Sequence, residues 1–464
     1  MTLEKQSWYW RIEVWILFFF LLRLIGIIAP PLEIAHNWRQ VTGLMVARNF
    51  YEGSSSLFFP AVDETNGGSG IIGMEFPFLN YLHFLTAKVF GFQDWYGRLI
   101  NLVVSSLGIL AFGKLVKHYF NSNVSFMASM ALCVSIFFSF SRKMMPDTFC
   151  IALVLIGMYF LLNFFKKGGA WSYIFFFIFI GLGFLSKISS LLLLVPIAYM
   201  ILMETSLKHK MWTFLSLAVA LSLTFYWYFV WNPFLALKYG SWYNSGVSLT
   251  LGFYQIKTHL LAVLAQFYFS AFHGFIFFFL SFSGLLMLLY KKRHKEVLFF
   301  LLTALLFGVY ILKSGEIFFI HSYYIVPFVP FMALLVGVLL AEFTFNKWVF
   351  IILISASVES IANQQHDFFI HKEERYKLTL EETLYIFSGY NDLIAINGNG
   401  NPQQLYFTHR KGWNTTDALL QQETYLDQIK RKGCKYVVLN KASSFTLNKD
   451  LVYSDDHYLL YRLQ

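Results

Sequence analysis

Charge is scarce in this chain. Asp, Glu, Lys and Arg make up only 13% of its 464 residues, about half of what a soluble globular protein carries, which excludes a chain that is soluble throughout. Cysteine is rarer still. Cys133, Cys150 and Cys434 form no disulfide framework, and with the first two in or beside apolar runs no structural disulfide is expected. Recognisable nucleotide and metal signatures are also missing. There is no zinc-protease helix and no P-loop, and the glycines of NGGSG at 66–70 lack the strand and helix context of a phosphate cradle. A soluble nucleotide donor is therefore not expected. The chain has no fixed-period repeat either.

Where charge is lacking, apolar residues stand: 57% of the chain is hydrophobic and 20% aromatic. These residues gather in runs long enough to cross a hydrocarbon core of about 30 Å as helices. Eleven such runs lie near 13–31, 97–113, 124–140, 148–165, 171–185, 188–204, 212–231, 270–290, 296–312, 322–341 and 347–362. Uninterrupted runs of this length exclude a transmembrane β-barrel. The expectation is an all-α polytopic membrane protein.

Basic residues resist translocation, so their distribution predicts orientation. Lys5 and Arg11, Lys114 and Lys117, Lys166 and Lys167, Lys208 and Lys210, KKRHK at 291–295, and Lys347 fall on alternate connections, the predicted cytoplasmic side. The net charge of +10 then follows from topology and needs no nucleic acid. The basic start MTLEKQSWYWR has no small-residue cleavage site, so the first span is expected to be a retained anchor. The opposite face receives residues 30–96, the SRKMMPD loop, the LSKISS turn, residues 232–269, the KSGEIFFIH loop and everything after 362. An odd number of spans puts the tail outside.

The predicted domains are a membrane module over 1–362 and a small soluble α/β domain over 363–464, where the composition turns polar. In the latter, DLIAI (392–396), QLYF (404–407) and KYVVL (435–439) are expected as buried strands, and TDALLQQETYLDQIKRKG as an amphipathic helix ending at Gly433. Within the module, the first loop (30–96) is expected to hold helices on the membrane surface. TGLMVARNFYEG has helical periodicity with Arg48 on its polar side, FPFLNYLHFLTAKVFG is too short to span, and VDETNGGSGIIG between them supplies turns carrying Asp63 and Glu64.

The polar clusters HNWRQ (36–40), VDETNGG with MEFP, RKMMPD, FLSK and IHSYY all fall on one predicted side. Ionisable residues near a membrane are costly and mark ligand paths or reaction centres. Each has a plainer role as well. Asp147 and Glu75 are placed as helix N-terminal caps, Lys187 as a snorkelling lysine, Trp38 and Tyr324 as interface aromatics, with His321 a further interface residue, and His36 as a loop histidine.

The order of these features resembles the GT-C glycosyltransferases: a long first outer loop, the acidic RKMMPDTF loop, GLGFLSKISSLLLLVP, HSYYIVPFVPFMALL and a small outer domain. It is similar in particular to bacterial relatives of dolichyl-phosphate-mannose protein mannosyltransferases, including the aminoarabinose transferases that modify lipid A. The resemblance covers the membrane part and implies a multi-pass enzyme of the plasma (inner) membrane. Such an enzyme passes a sugar from a polyprenyl-phosphate donor to an extracytoplasmic lipid, glycan or protein, usually with inversion. A base is needed near the acceptor and cations or donors at the leaving phosphate. The family's early acidic pair is replaced here by His36 and Asn37, so His36, Glu75, Asp147 and Asp63 are all candidates for the base. Asp147 matches the family's second acidic position, and Glu75 with Pro77 the place before the interfacial helix. Lys187, Arg39, His321 and Tyr324 are the candidates for the donor phosphate, and Trp38 for the sugar or the interface. No metal-ligand spacing is present, although the reaction is compatible with a divalent cation. The alternatives are a lipid or polysaccharide transporter or flippase, whose related halves and broken midplane helices are not apparent, and a surface-polysaccharide polymerase or ligase.

Overall fold

The computed structural model describes residues 10–241, 246–343 and 347–463. Lys5 and the basic start as far as Tyr9 lie outside the described residues. Every apolar run carries a helix. Among the described residues five helices are long and apolar enough to cross a membrane: Tyr96–Tyr119, Pro146–Lys167, Leu207–Tyr239, His294–Ser314 and Ser322–Leu340. Leu260–Ser270 and Phe275–Tyr290, bent by 98°, would make a sixth span together. The apolar helices Ser122–Val134, Ala170–Ser186 and Ile188–Met203 are shorter, so the eleven apolar runs do not translate into eleven full-length spans. The shortening has local causes. Ser135 closes one helix in extended backbone, and Lys187 interrupts another in the same way.

The chain forms two compact units: Met1–Ile27, Gly97–Val230 and Asn244–Phe368 make the first, and Ile28–Tyr96, Trp231–Tyr243 and Phe369–Gln464 the second. Composition separates the chain at 362, but compactness groups the first loop with the C-terminal segment. Polar contacts hold that grouping. Arg48 donates to the Tyr406 carbonyl at 3.0 Å, Gln403 to the Pro31 carbonyl at 2.8 Å, and Tyr406 Oη to Asp94.

In the first unit, glycines permit close helix crossings, as small residues do between membrane helices. A Cβ on Gly183 would sit 2.5 Å from Val154 Cγ2 and 3.1 Å from the Cys150 carbonyl. This fixes the register of Ala170–Ser186 against Pro146–Lys167. The latter helix starts with Pro146 and stops at Gly168, whose φ of 66° is left-handed, the expected proline-in, glycine-out pattern.

The second unit contains a five-stranded sheet in the order β2-β1-β3-β5-β4. Its strands are β1 (Leu393–Ile396), β2 (Gly412–Asn414), β3 (Cys434–Asn440), β4 (Asp450–Ser454) and β5 (Tyr458–Arg462). β1 pairs in parallel with β2 and β3, while β5 is antiparallel to β3 and β4. The expected strands at 392–396 and 435–439 are β1 and β3. QLYF is instead part of the helix Gln403–Thr408, a correction with a local reason. Pro402 presets helical φ at the start of that helix, and the Asn401 side chain accepts from the Gln403 amide at 3.1 Å. The expected helix ending at Gly433 is two, Asp417–Leu420 and Glu423–Arg431. TGLMVARNFYEG lies in the helix Asn37–Tyr51 and FPFLNYLHFLTAKVFG in Phe78–Phe90. The three cysteines are unpaired and buried.

Candidate functional site

In the first unit, two sequence clusters meet at one ion pair. Asp147 follows Pro146 in the first turn of its helix, and the cap position before them belongs to Met145. Lys187 lies in extended backbone just beyond Ala170–Ser186. The Gly183 crossing lies one turn from each residue, so Lys187 Nζ reaches and donates to Asp147 Oδ1. Both residues are buried, at 8% and 3% exposure. Asp147 is therefore not an N-cap, and Lys187 does not snorkel to a headgroup.

Aromatic rings complete this pocket. Lys187 Nζ stands 4.9 Å from the Tyr323 ring centroid and 5.3 Å from that of Tyr324, within cation–π range. His321 stacks on Tyr323 at 5.2 Å, and Tyr310 on Tyr324 at 5.9 Å. Burying two charges is expensive unless they are paired and further contacts compensate, and here the pair and two ring faces supply that. Asp147 Oδ2 is buried without a hydrogen-bond partner among the described residues. The structure thus assembles Lys187, Asp147, His321 and Tyr324 in one place. Tyr323 and Tyr310 join them, the first marked in the sequence by the doubled tyrosine of HSYY and the second by no local signal.

The second unit holds the other candidates. His36 has a left-handed φ of 62° immediately before Asn37–Tyr51, uncommon for a residue other than glycine. It turns the chain so that Trp38 and Arg39 fall in the first helical turn. Arg39 pairs with Glu75, linking HNWRQ to MEFP, and each side chain remains about one-fifth exposed, 20% and 21%. Trp38 is 45% exposed.

Asp63 is placed elsewhere. Its Oδ2 accepts from Arg48 at 2.6 Å and its Oδ1 from Asn49 Nδ2 at 3.0 Å, with all three residues buried. The Arg48 guanidinium also lies 4.2 Å from the Tyr406 ring centroid. Arg48 is thus a buried clamp and not the polar face of its helix. Nine residues separate it from Arg39, about 13 Å of helical rise, so Asp63 and Glu75 serve different ends of that helix.

One further cluster in this unit escaped the sequence. His409 bonds Glu381 Oε1 through Nδ1 and Glu52 Oε1 through Nε2, both at 2.6 Å. Two carboxylate acceptors require both ring nitrogens to be donors, hence an imidazolium. Burial works against that charge, but the bonds to Glu381 and Glu52 raise the His409 pKa above its ordinary 6.5. Burial likewise opposes the Glu52 charge, yet bonds with His409 and Tyr390 hold its pKa below 4.5, and the His409 bond does the same for Glu381. The sign follows from linkage. The His409 contribution is complete below 6.5 and is lost as pH rises through its raised folded value, whereas the carboxylate contributions are lost as pH falls below 4.5. The unfolding temperature is expected to be highest between these limits and to decline on the alkaline side. Thermal unfolding across pH checks this, and His409→Gln should flatten the alkaline slope.

Among the described residues no three His, Cys, Asp or Glu side chains converge to hold a metal ion.

Fold and helical composition define a multi-pass membrane protein with the GT-C fold. The model of the dolichyl-phosphate-mannose-protein mannosyltransferase family matches residues 75–231. The whole chain is similar in structure to ArnT from Cupriavidus metallidurans bound to undecaprenyl phosphate, at 13% identity and a TM-score of 0.63, covering 97% of this chain and 98% of that one. It is also similar to the Archaeoglobus fulgidus oligosaccharyltransferase in complex with Zn and sulfate, at 15% identity and a TM-score of 0.61, over 93% and 68% of the two chains. The archaeal AglB from the same organism, with an inhibitory peptide and a dolichol-phosphate, matches at 13% identity and 0.57, over 94% and 70%. No curated protein sequence matches. The chain thus has the GT-C fold, and its residues 75–231 are similar to the protein mannosyltransferase family.

Proposed function

We propose that this protein is a membrane glycosyltransferase that moves a sugar from a polyprenyl-phosphate donor to an extracytoplasmic acceptor, with inversion. The observation that carries the reading is the buried Lys187–Asp147 pair against Tyr323 and Tyr324, set in a fold shared with ArnT. As the bond from the anomeric carbon to the phosphate oxygen breaks, its electrons pass to the phosphate. A fixed ammonium nearby stabilises that charge more in the transition state than in the ground state. Lys187 has this role, supported by His321 and Tyr324, and Asp147 positions Lys187. The acceptor proton goes to a base outside this cluster. Glu75, held by Arg39 yet partly exposed, and His36 are the two candidates. Trp38, exposed beside them, offers a face for the sugar or for the interface. Asp63, with both oxygens engaged, serves the fold.

In the membrane, the loops carrying KKRHK and Lys347 face the cytoplasm, as does the N-terminus, and the segment after 362 is extracytoplasmic. The membrane is the plasma (inner) membrane, the compartment where lipid-linked sugars meet acceptors away from nucleotides. Cells lacking the protein are expected to accumulate a polyprenyl-phosphate sugar, identified by mass spectrometry and cleared by the wild-type gene but not by Lys187→Met. An unchanged lipid-linked sugar pool together with a defect in lipid export would favour the transporter instead.

A further inference from the structure

The first unit contains a cavity that the reaction does not use. It has a volume of about 150 Å³ and lies among helices Tyr96–Tyr119, Pro146–Lys167, Leu194–Met203, His294–Ser314 and Val329–Leu340. Its depth is apolar, with Phe112, Leu155, Met158, Leu193 and Phe331 among its walls. Its mouth is polar and includes Tyr119, Tyr199, Arg293, Lys295 and Glu296. Along His294–Ser314 it runs from Lys295 to Phe300, and along Pro146–Lys167 it begins at Leu155, eight residues or about 12 Å past Asp147. It is thus separate from the Lys187–Asp147 pair and opens at the end of the bundle that carries KKRHK.

The charge at that mouth is incompletely balanced. Lys291 pairs with Glu342 at 2.5 Å and Arg293 with Glu296 at 2.5 Å. Lys295 is exposed and has no ion-pair partner among the described residues. The Tyr119 and Tyr199 rings, which line the same cavity, meet edge-on at 5.9 Å, in the manner of residues at headgroup level. A basic pocket between membrane helices, fronting an apolar cavity, suits a lipid with an anionic headgroup.

We propose that this cavity binds one anionic diacyl phospholipid, with an acyl chain in the apolar depth and its phosphate at Lys295 and Arg293. The site is independent of sugar transfer and is read by lipid retention alone, so its failure would leave the functional proposal untouched. The test compares phosphatidylglycerol and phosphatidylcholine of identical acyl chains, added to the full-length protein purified in neutral detergent and followed by native mass spectrometry and thermal unfolding. Phosphatidylglycerol should be retained about tenfold more strongly and should raise the unfolding temperature more. Lys295→Gln, an exposed change that spares the fold, should bring the two lipids close to parity. Leu193→Trp, which fills the cavity, should lose both. Equal retention of the two lipids by the wild type overturns the proposal. So does unchanged preference in Lys295→Gln, or retention of a polyprenyl phosphate in place of either diacyl lipid.

Discussion

Lys187→Met is expected to lower sugar transfer by about 10²- to 10³-fold, the scale for removing one preorganised contact to developing negative charge. The same change also destabilises the protein, because Lys187 is not a surface lysine with a dispensable charge. Its removal leaves the Asp147 carboxylate buried without its ammonium partner, and breaking one side of a buried pair costs about 3–5 kcal/mol. The two effects separate in the double variant. Lys187→Met with Asp147→Asn removes the orphaned charge, so stability should return substantially while the rate stays low. Turnover of a synthetic polyprenyl-phosphate sugar, measured beside thermal unfolding, distinguishes the outcomes. If the double variant regains the wild-type rate, the pair is a structural strut and the phosphate must be met by other groups.

A second large effect is expected at Asp63. Asp63→Asn keeps the side chain's shape but leaves the Arg48 guanidinium buried without its counter-charge, at a cost of about 3–5 kcal/mol. Arg48 also holds the Tyr406 carbonyl, so the loss should spread from the first loop into the C-terminal segment. Hydrogen exchange should report weaker protection in Asn37–Tyr51 and Gln403–Thr408 together. In the fraction that remains folded, kcat and KM should stay near wild type. A stable Asp63→Asn protein with transfer reduced by two orders of magnitude would instead make Asp63 the base.

These two aspartates show why site roles were only half visible in the sequence. Both stand in polar clusters, and the buried partner of each comes from packing that the local sequence does not mark. Asp147 follows a proline at a helix start, so capping was the natural inference; its partner is 40 residues away. Arg48 has the spacing of a solvent-facing helical residue, yet Asp63 and a carbonyl 358 residues distant enclose it. The His409 bridge is a stronger case, since Glu52 and Glu381 lie in different segments and nothing near any of the three marks them.

The sequence by itself determined what depends on neighbours along the chain. Apolar run length decides solvent class, because each stretch must satisfy its own backbone in lipid. That sufficed for the membrane protein, the helices of the first loop, and the strands β1 and β3. Tertiary structure alone decided which helices meet and therefore which buried charges pair. Gly183 lets two helices approach closely enough for Lys187 to find Asp147, and Arg48 draws the first loop and the C-terminal segment into one unit. A buried charge takes whichever partner the packing brings near, and the 3.6-residue and two-residue periods of local structure carry no information about that choice.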